Sequence, residues 1–122
     1  MAEAREYISR EEELGRVNIS EEVLTAIAGA AAMEVEGVES IGSGLGNDVA
    51  AMVNRKTLSK GVRLSVEDDQ VRVNIIIMVQ FGYVVPDVAR AVQEAIISGV
   101  ENTSGLQVNE VNVTVTGVSF PQ

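Results

Sequence analysis

The chain has 122 residues, a net charge of −9, no Cys and no His, and 46% of its residues are hydrophobic. That length suits one domain with its own core, and the missing side chains exclude disulfides, thiolate or imidazole catalysis and the usual zinc sites. The acidity repels nucleic acid, and four aromatic residues are too few for a base-stacking platform.

No apolar run approaches the ~18 residues needed to span a bilayer, and the N-terminus lacks the apolar core of a secretory signal. The expectation is a soluble cytoplasmic protein without cofactor or metal. Valine fills 21 positions and isoleucine 9, so β-branched side chains point to a substantial sheet.

In chain order, residues 1–14 read as a mobile charged arm closed by Glu11, Glu12 and Glu13. A short strand is expected from Gly15 to Ile19. Ser20 has the chemistry of an N-cap, with Glu21 and Glu22 placed where the helix dipole favours carboxylates. Leu24, Ile27, Ala28, Ala31 and Val35 then form one helical face, and Gly37 is a natural stop. Val38 to Ile41 reads as a strand, Gly42 to Asn47 as a loop, and Asp48 to about Val53 as a short helix.

Alternation in 62–66 and again from Val71 to Val79 gives two strands, with Glu67, Asp68, Asp69 and Gln70 as the hairpin turn. Pro86 and Asp87 suit the first turn of a second helix, whose buried stripe is Val88, Val92, Ala95, Ile96 and Gly99. A final strand runs from Val108 to Phe120. The expected fold is α+β: a two-layer sandwich, an antiparallel-rich sheet of about four strands with two main helices on one face. Residues 15–120 are expected to form the single domain.

Motif chemistry is sparse. The glycines at 42, 44 and 46 do not match a phosphate loop, because Asn47 stands where a dinucleotide motif needs Gly and no Gly-Lys-Ser/Thr follows. The acids at 34, 36 and 39 do not face one another, and those at 67–69 suit a solvated turn. Arg55, Lys56, Lys60 and Arg63 fall within nine positions free of acids, in an acidic chain. They read either as a docking patch for an anionic partner or as a solvated connector.

The sheet and second helix add candidates. Alternation sends Ile76 and Met78, and with them Val118 and Phe120, to the face away from the helices. There they form a contact surface, or the loop at 42–60 folds over them. Ile97 falls among Gln93, Arg90, Glu101 and Glu94, so it reads as an exposed side chain or as an anchor for a partner.

The ordered signatures resemble the alkaline shock protein family, also called the envelope stress response family. Those signatures are the stretch from Gly15 to Ser20, Glu22 with Val23, Ile27 with Ala28, and the run from Glu34 to Val38. Lys60 to Val62, Tyr83, Gly105 with Leu106, Val111 to Val113 and Gly117 with Val118 continue the match. The resemblance implies a non-enzymatic bacterial protein linked to cell-envelope and alkaline stress. It also implies protein partners, among them a separate membrane-anchor protein, and self-association into a homo-oligomer. The expected function is a scaffold or adaptor at the cytoplasmic membrane face. The alternative is a regulatory module of fatty-acid metabolism that binds an acyl-type metabolite or a lipid-synthesis enzyme.

Overall fold

The computed structural model describes residues 7–42, 61–68 and 70–121. The short helix expected at 48–53 lies outside them, as do most of the glycine loop and residues 1–6 of the arm. The described part of that arm corrects the reading. Tyr7–Glu12 forms β1 and pairs antiparallel with β2, Gly15–Ser20. Ile8 is the reason: it is buried in the main core, and Ile19 from β2 packs beside it. The surrounding charges line a hairpin whose tip residue, Leu14, is fully exposed.

Helix α1, Glu21–Met33, starts where its cap chemistry dictates. The Ser20 hydroxyl accepts a hydrogen bond from the Glu22 N–H at 3.2 Å, and the two glutamates occupy the first turn. Leu24, Ala28 and Ala32 are wholly buried, and Ile27, Ala31 and Val35 pack against the core, as their spacing predicts. β3, Val38–Ile41, follows a turn in which Gly37 takes φ +100°, a region that favours glycine.

The four remaining elements are β4 at Val62–Glu67, β5 at Gln70–Gln80, helix α2 at Val85–Ser104 and β6 at Gln107–Ser119. Proline stands in the first turn of α2, and Gly105 closes the helix in the left-handed conformation at φ +79°. Its buried positions are Val88, Val92, Ile96 and Val100.

β5 is the axis of the four-stranded sheet. β3 and β4 lie end to end along one side of it, both antiparallel, and meet at Ile76. There the Gly42 N–H donates to the Ile76 carbonyl at 2.8 Å and the Ile76 N–H donates to the Gly61 carbonyl at 3.0 Å. β6 lies along the other side and is parallel to β5, with α2 as the crossover between them. The α+β class is as expected; the parallel pair is not visible in alternation alone.

The core lies between the sheet and the two helices. Val71, Val73, Ile75, Ile77 and Val79 of β5 are all 0–1% exposed, and no polar or charged side chain is buried among the described residues. Gly99 brings α2 against α1: a Cβ there would sit 3.5 Å from Ala31 and 3.6 Å from Ile27.

Candidate contact surfaces

β6 carries two irregularities that decide which side chains share a face. Its register with β5 shifts between Val71 and Arg72, where Asn109 is the extra residue, and again between Ile77 and Met78, where Thr116 is extra. Between the shifts, Val111, Val113 and Val115 pair with core-facing residues of β5. Past Thr116 the phase reverses, because one extra residue exchanges the faces. Val118 therefore pairs with the core-facing Val79, and Gly117 pairs with Met78 on the open face.

This corrects the face expected for two of the candidate positions. Ile76 and Met78 do lie half-buried on the face away from the helices. Val118 and Phe120 belong to the opposite, helix-bearing side. The Met78 methyl would sit only 3.2 Å from a Cβ at position 117, so it covers the glycine where a further side chain was expected.

A third correction concerns Ile97. It is half-buried and packs against the core instead of standing free on a wet face. The flank of α2 that carries it leans on β6. Gln93, one turn before it, donates from Nε2 to the Val111 carbonyl at 3.0 Å. Glu101, one turn after it, accepts from the Val108 N–H at 2.9 Å. Polar residues on this flank mark strand edge, not solvent.

Of the basic candidates, Arg63 is exposed on β4 and forms no ion pair with a described residue. Arg55, Lys56 and Lys60 lie outside the described residues. On the open face a shallow cavity of about 520 Å³ is lined by Gly42, Gly61, Arg63, Asn74, Ile76 and Thr114. Its lining sets the polar Arg63, Asn74 and Thr114 beside Ile75 and Ile76.

Of the most exposed apolar group, alternation marks Val118 and Phe120 but not Phe81, Tyr83 or Val84. Phe81 directly follows β5, the turn after it carries Tyr83 and Val84, and Val118 near the end of β6 is followed by Phe120 just beyond the strand. Phe81 is 60% exposed, Val84 60% and Phe120 66%. The two phenylalanine rings stack tilted with centroids 4.9 Å apart, held together where the Phe81 N–H donates to the Ser119 carbonyl at 2.8 Å. Three of the chain's four aromatic residues thus gather at one end of the sheet. The signal was available: apolar residues in the turn before Pro86 have no periodic partner to bury them.

Carboxylates rim this aromatic end. The Tyr83 hydroxyl donates to Glu36 Oε2 at 3.3 Å, and Asp87 follows in the first turn of α2. The Glu36 charge raises the Tyr83 phenol above its ordinary value, with partial burial and the hydrogen bond adding in the same direction. Tyr83 is seated by Gly37, whose missing Cβ leaves 3.0 Å to the ring.

No group of three or more His, Cys, Asp or Glu able to hold a metal ion occurs among the described residues. No described helix is long and apolar enough to cross a membrane. The fold defines a two-layer α+β protein with two helices on one face of its four-stranded sheet.

The chain belongs to the alkaline shock protein 23 family, described as having a cell envelope-related function, whose model matches residues 9–120. It is 36% identical over 107 residues to YqhY of Bacillus subtilis (strain 168), covering 88% of this chain and 79% of that protein. It is 34% identical over 108 residues to Spy1535 of Streptococcus pyogenes serotype M6, covering 88% of this chain and 81% of the relative. Among solved structures it is similar to the MamM CTD, with a TM-score of 0.47 and 16% identity over 83% of this chain and 96% of that one.

Proposed function

We propose that this chain is a non-enzymatic adaptor that works by protein–protein contact at the cytoplasmic face of the membrane, in cell-envelope homeostasis. The observation that carries the reading is the exposed aromatic end formed by Phe81, Tyr83, Val84, Val118 and Phe120. Clustered exposed aromatics with a polar rim are the usual anatomy of a contact site. The rim here is acidic, so an anionic lipid surface is repelled. The matching partner presents apolar side chains beside Lys or Arg, as a segment of a membrane-anchor protein would. Arg55, Lys56, Lys60 and Arg63 would dock an anionic partner.

The acyl-ligand alternative fits less well. An acyl chain calls for an enclosed apolar cavity, and the described residues that line the cavity at Ile75 and Ile76 include the polar Arg63, Asn74 and Thr114. The test is a photo-crosslinking amino acid placed at Phe120 and, as a control, at the exposed Thr103 on the far end of α2. The adaptor reading expects a discrete crosslinked protein from position 120, recovered with the membrane fraction. Identical products from both positions, or no product, would overturn it. An acyl species in the native mass spectrum of the purified protein would favour the alternative.

A further inference from the structure

β6 is a long strand with only one sheet neighbour among the described residues, and its outer edge is protected unevenly. Where Gln93 and Glu101 reach over from α2, the Val111 carbonyl and the Val108 N–H are satisfied. In a strand, the N–H and C=O of one residue point to the same edge, and the direction alternates along the chain. Val111 points outward, so Val113 and Val115 do as well, because the register is regular from Val111 to Val115. No described residue hydrogen-bonds to the outward backbone groups of either valine. Thr116 ends the stretch by turning its hydroxyl inward to the Ile77 carbonyl.

We infer that the edge from Val113 to Val115 is the docking site of a second copy of this chain, paired antiparallel about a two-fold axis through Thr114. The axis places Val113 opposite Val115 of the second copy, so each valine exchanges N–H···O=C bonds with its counterpart. The pairing is self-complementary, as a two-fold interface requires. It also stops by itself, at the Gln93 cap on one side and at the Thr116 bulge on the other.

Charge singles out the same stretch. The chain carries −9, yet residues 111–122 contain no Asp, Glu, Lys or Arg. Two acidic copies meet with least repulsion there, and added salt should strengthen the contact by screening what remains. A basic partner would show the reverse salt dependence. Unprotected uncharged edges pair readily with another strand, and this one does so within a short ladder, which makes the association weak and concentration-dependent.

The axis supplies the test. Thr114 is exposed, and its side chain would face the Thr114 of the second copy at the closest spacing of an antiparallel pair. Sedimentation equilibrium of the full chain, up to about 1 mM, should show a monomer–dimer equilibrium that tightens with salt. Thr114→Lys and Thr114→Glu should each lower the association constant by tenfold or more, and an equimolar mixture of the two should restore it. A wild-type monomer throughout, a dimer unmoved by Thr114→Lys, or a mixture that stays monomeric would each overturn the inference. A readout independent of any variant is amide hydrogen exchange. Protection at Val113 and Val115 should rise with protein concentration while Thr114, bonded to β5, stays constant; unchanged exchange at both valines refutes the pairing.

Discussion

Replacing Gly37 with alanine tests how the aromatic end is joined to the core. Gly37 sits at φ +100°, where an L-residue is strained by about 1–2 kcal/mol. Its new Cβ would also lie 2.8 Å from Val88 Cγ2 and 3.0 Å from the Tyr83 ring. Val88 is 4% exposed and cannot swing aside, so overpacking adds about 1–3 kcal/mol. Gly82 is the internal control: it has φ +105°, but nothing lies within 4 Å of the place a methyl group would take, so Gly82→Ala carries the backbone strain alone. The expected losses are about 2–5 kcal/mol for Gly37→Ala and about 1–2 kcal/mol for Gly82→Ala. Urea unfolding followed by circular dichroism, with equal slopes for all variants, measures both. Equal losses at the two sites would refute the claim that Gly37 is packed shut by Val88 and Tyr83.

Four further outcomes are expected. Ile96→Ala, at a fully buried position, should cost about 2–5 kcal/mol in the same assay, and Ile97→Lys should also destabilise the isolated protein; a neutral Ile97→Lys would return that residue to solvent. Gly99→Ala should stabilise by about 0.5–1 kcal/mol, because its methyl meets Ala31 and Ile27 at ordinary contact distance in a helix interior, and a loss would mean the helices pack closer. Because the folded-state value of Tyr83 is raised, its contribution to stability is present below the ordinary phenol value and is lost as pH rises through the folded one. A near-ultraviolet titration in a Tyr7→Phe background should therefore show Tyr83 ionising at lower pH in Glu36→Gln, and an unmoved titration would remove Glu36 as the cause.

Much of the fold was legible because it follows from periodicity. Leu24, Ala28 and Ala32 on α1, and Val88, Val92 and Ile96 on α2, bury the faces their spacing marks. The hairpin of β4 and β5 follows from alternation around a turn of acids. Elements escaped where a local rule met a tertiary exception. The bulge at Thr116 exchanges the faces of Val118 and Phe120, and a strand pattern holds no sign of an extra residue. Ile97 looked wet because Gln93 and Glu101 flank it, yet both of those serve backbone groups of β6. β1 was hidden by its charges, with Ile8 as a deep anchor. The parallel partnership of β5 and β6 depends on the α2 crossover, which alternation does not encode.

The central claim is that Phe81 and Phe120 form a contact site and not part of the core. The direct measurement is membrane co-fractionation in cells of the Phe81→Ser/Phe120→Ser double variant, with the thermal stability of the purified protein as the companion value. Exposed substitutions cost little stability, so the variant should fold with a midpoint close to wild type and lose its association with the membrane fraction. Wild-type membrane association by a stably folded double variant would contradict the account.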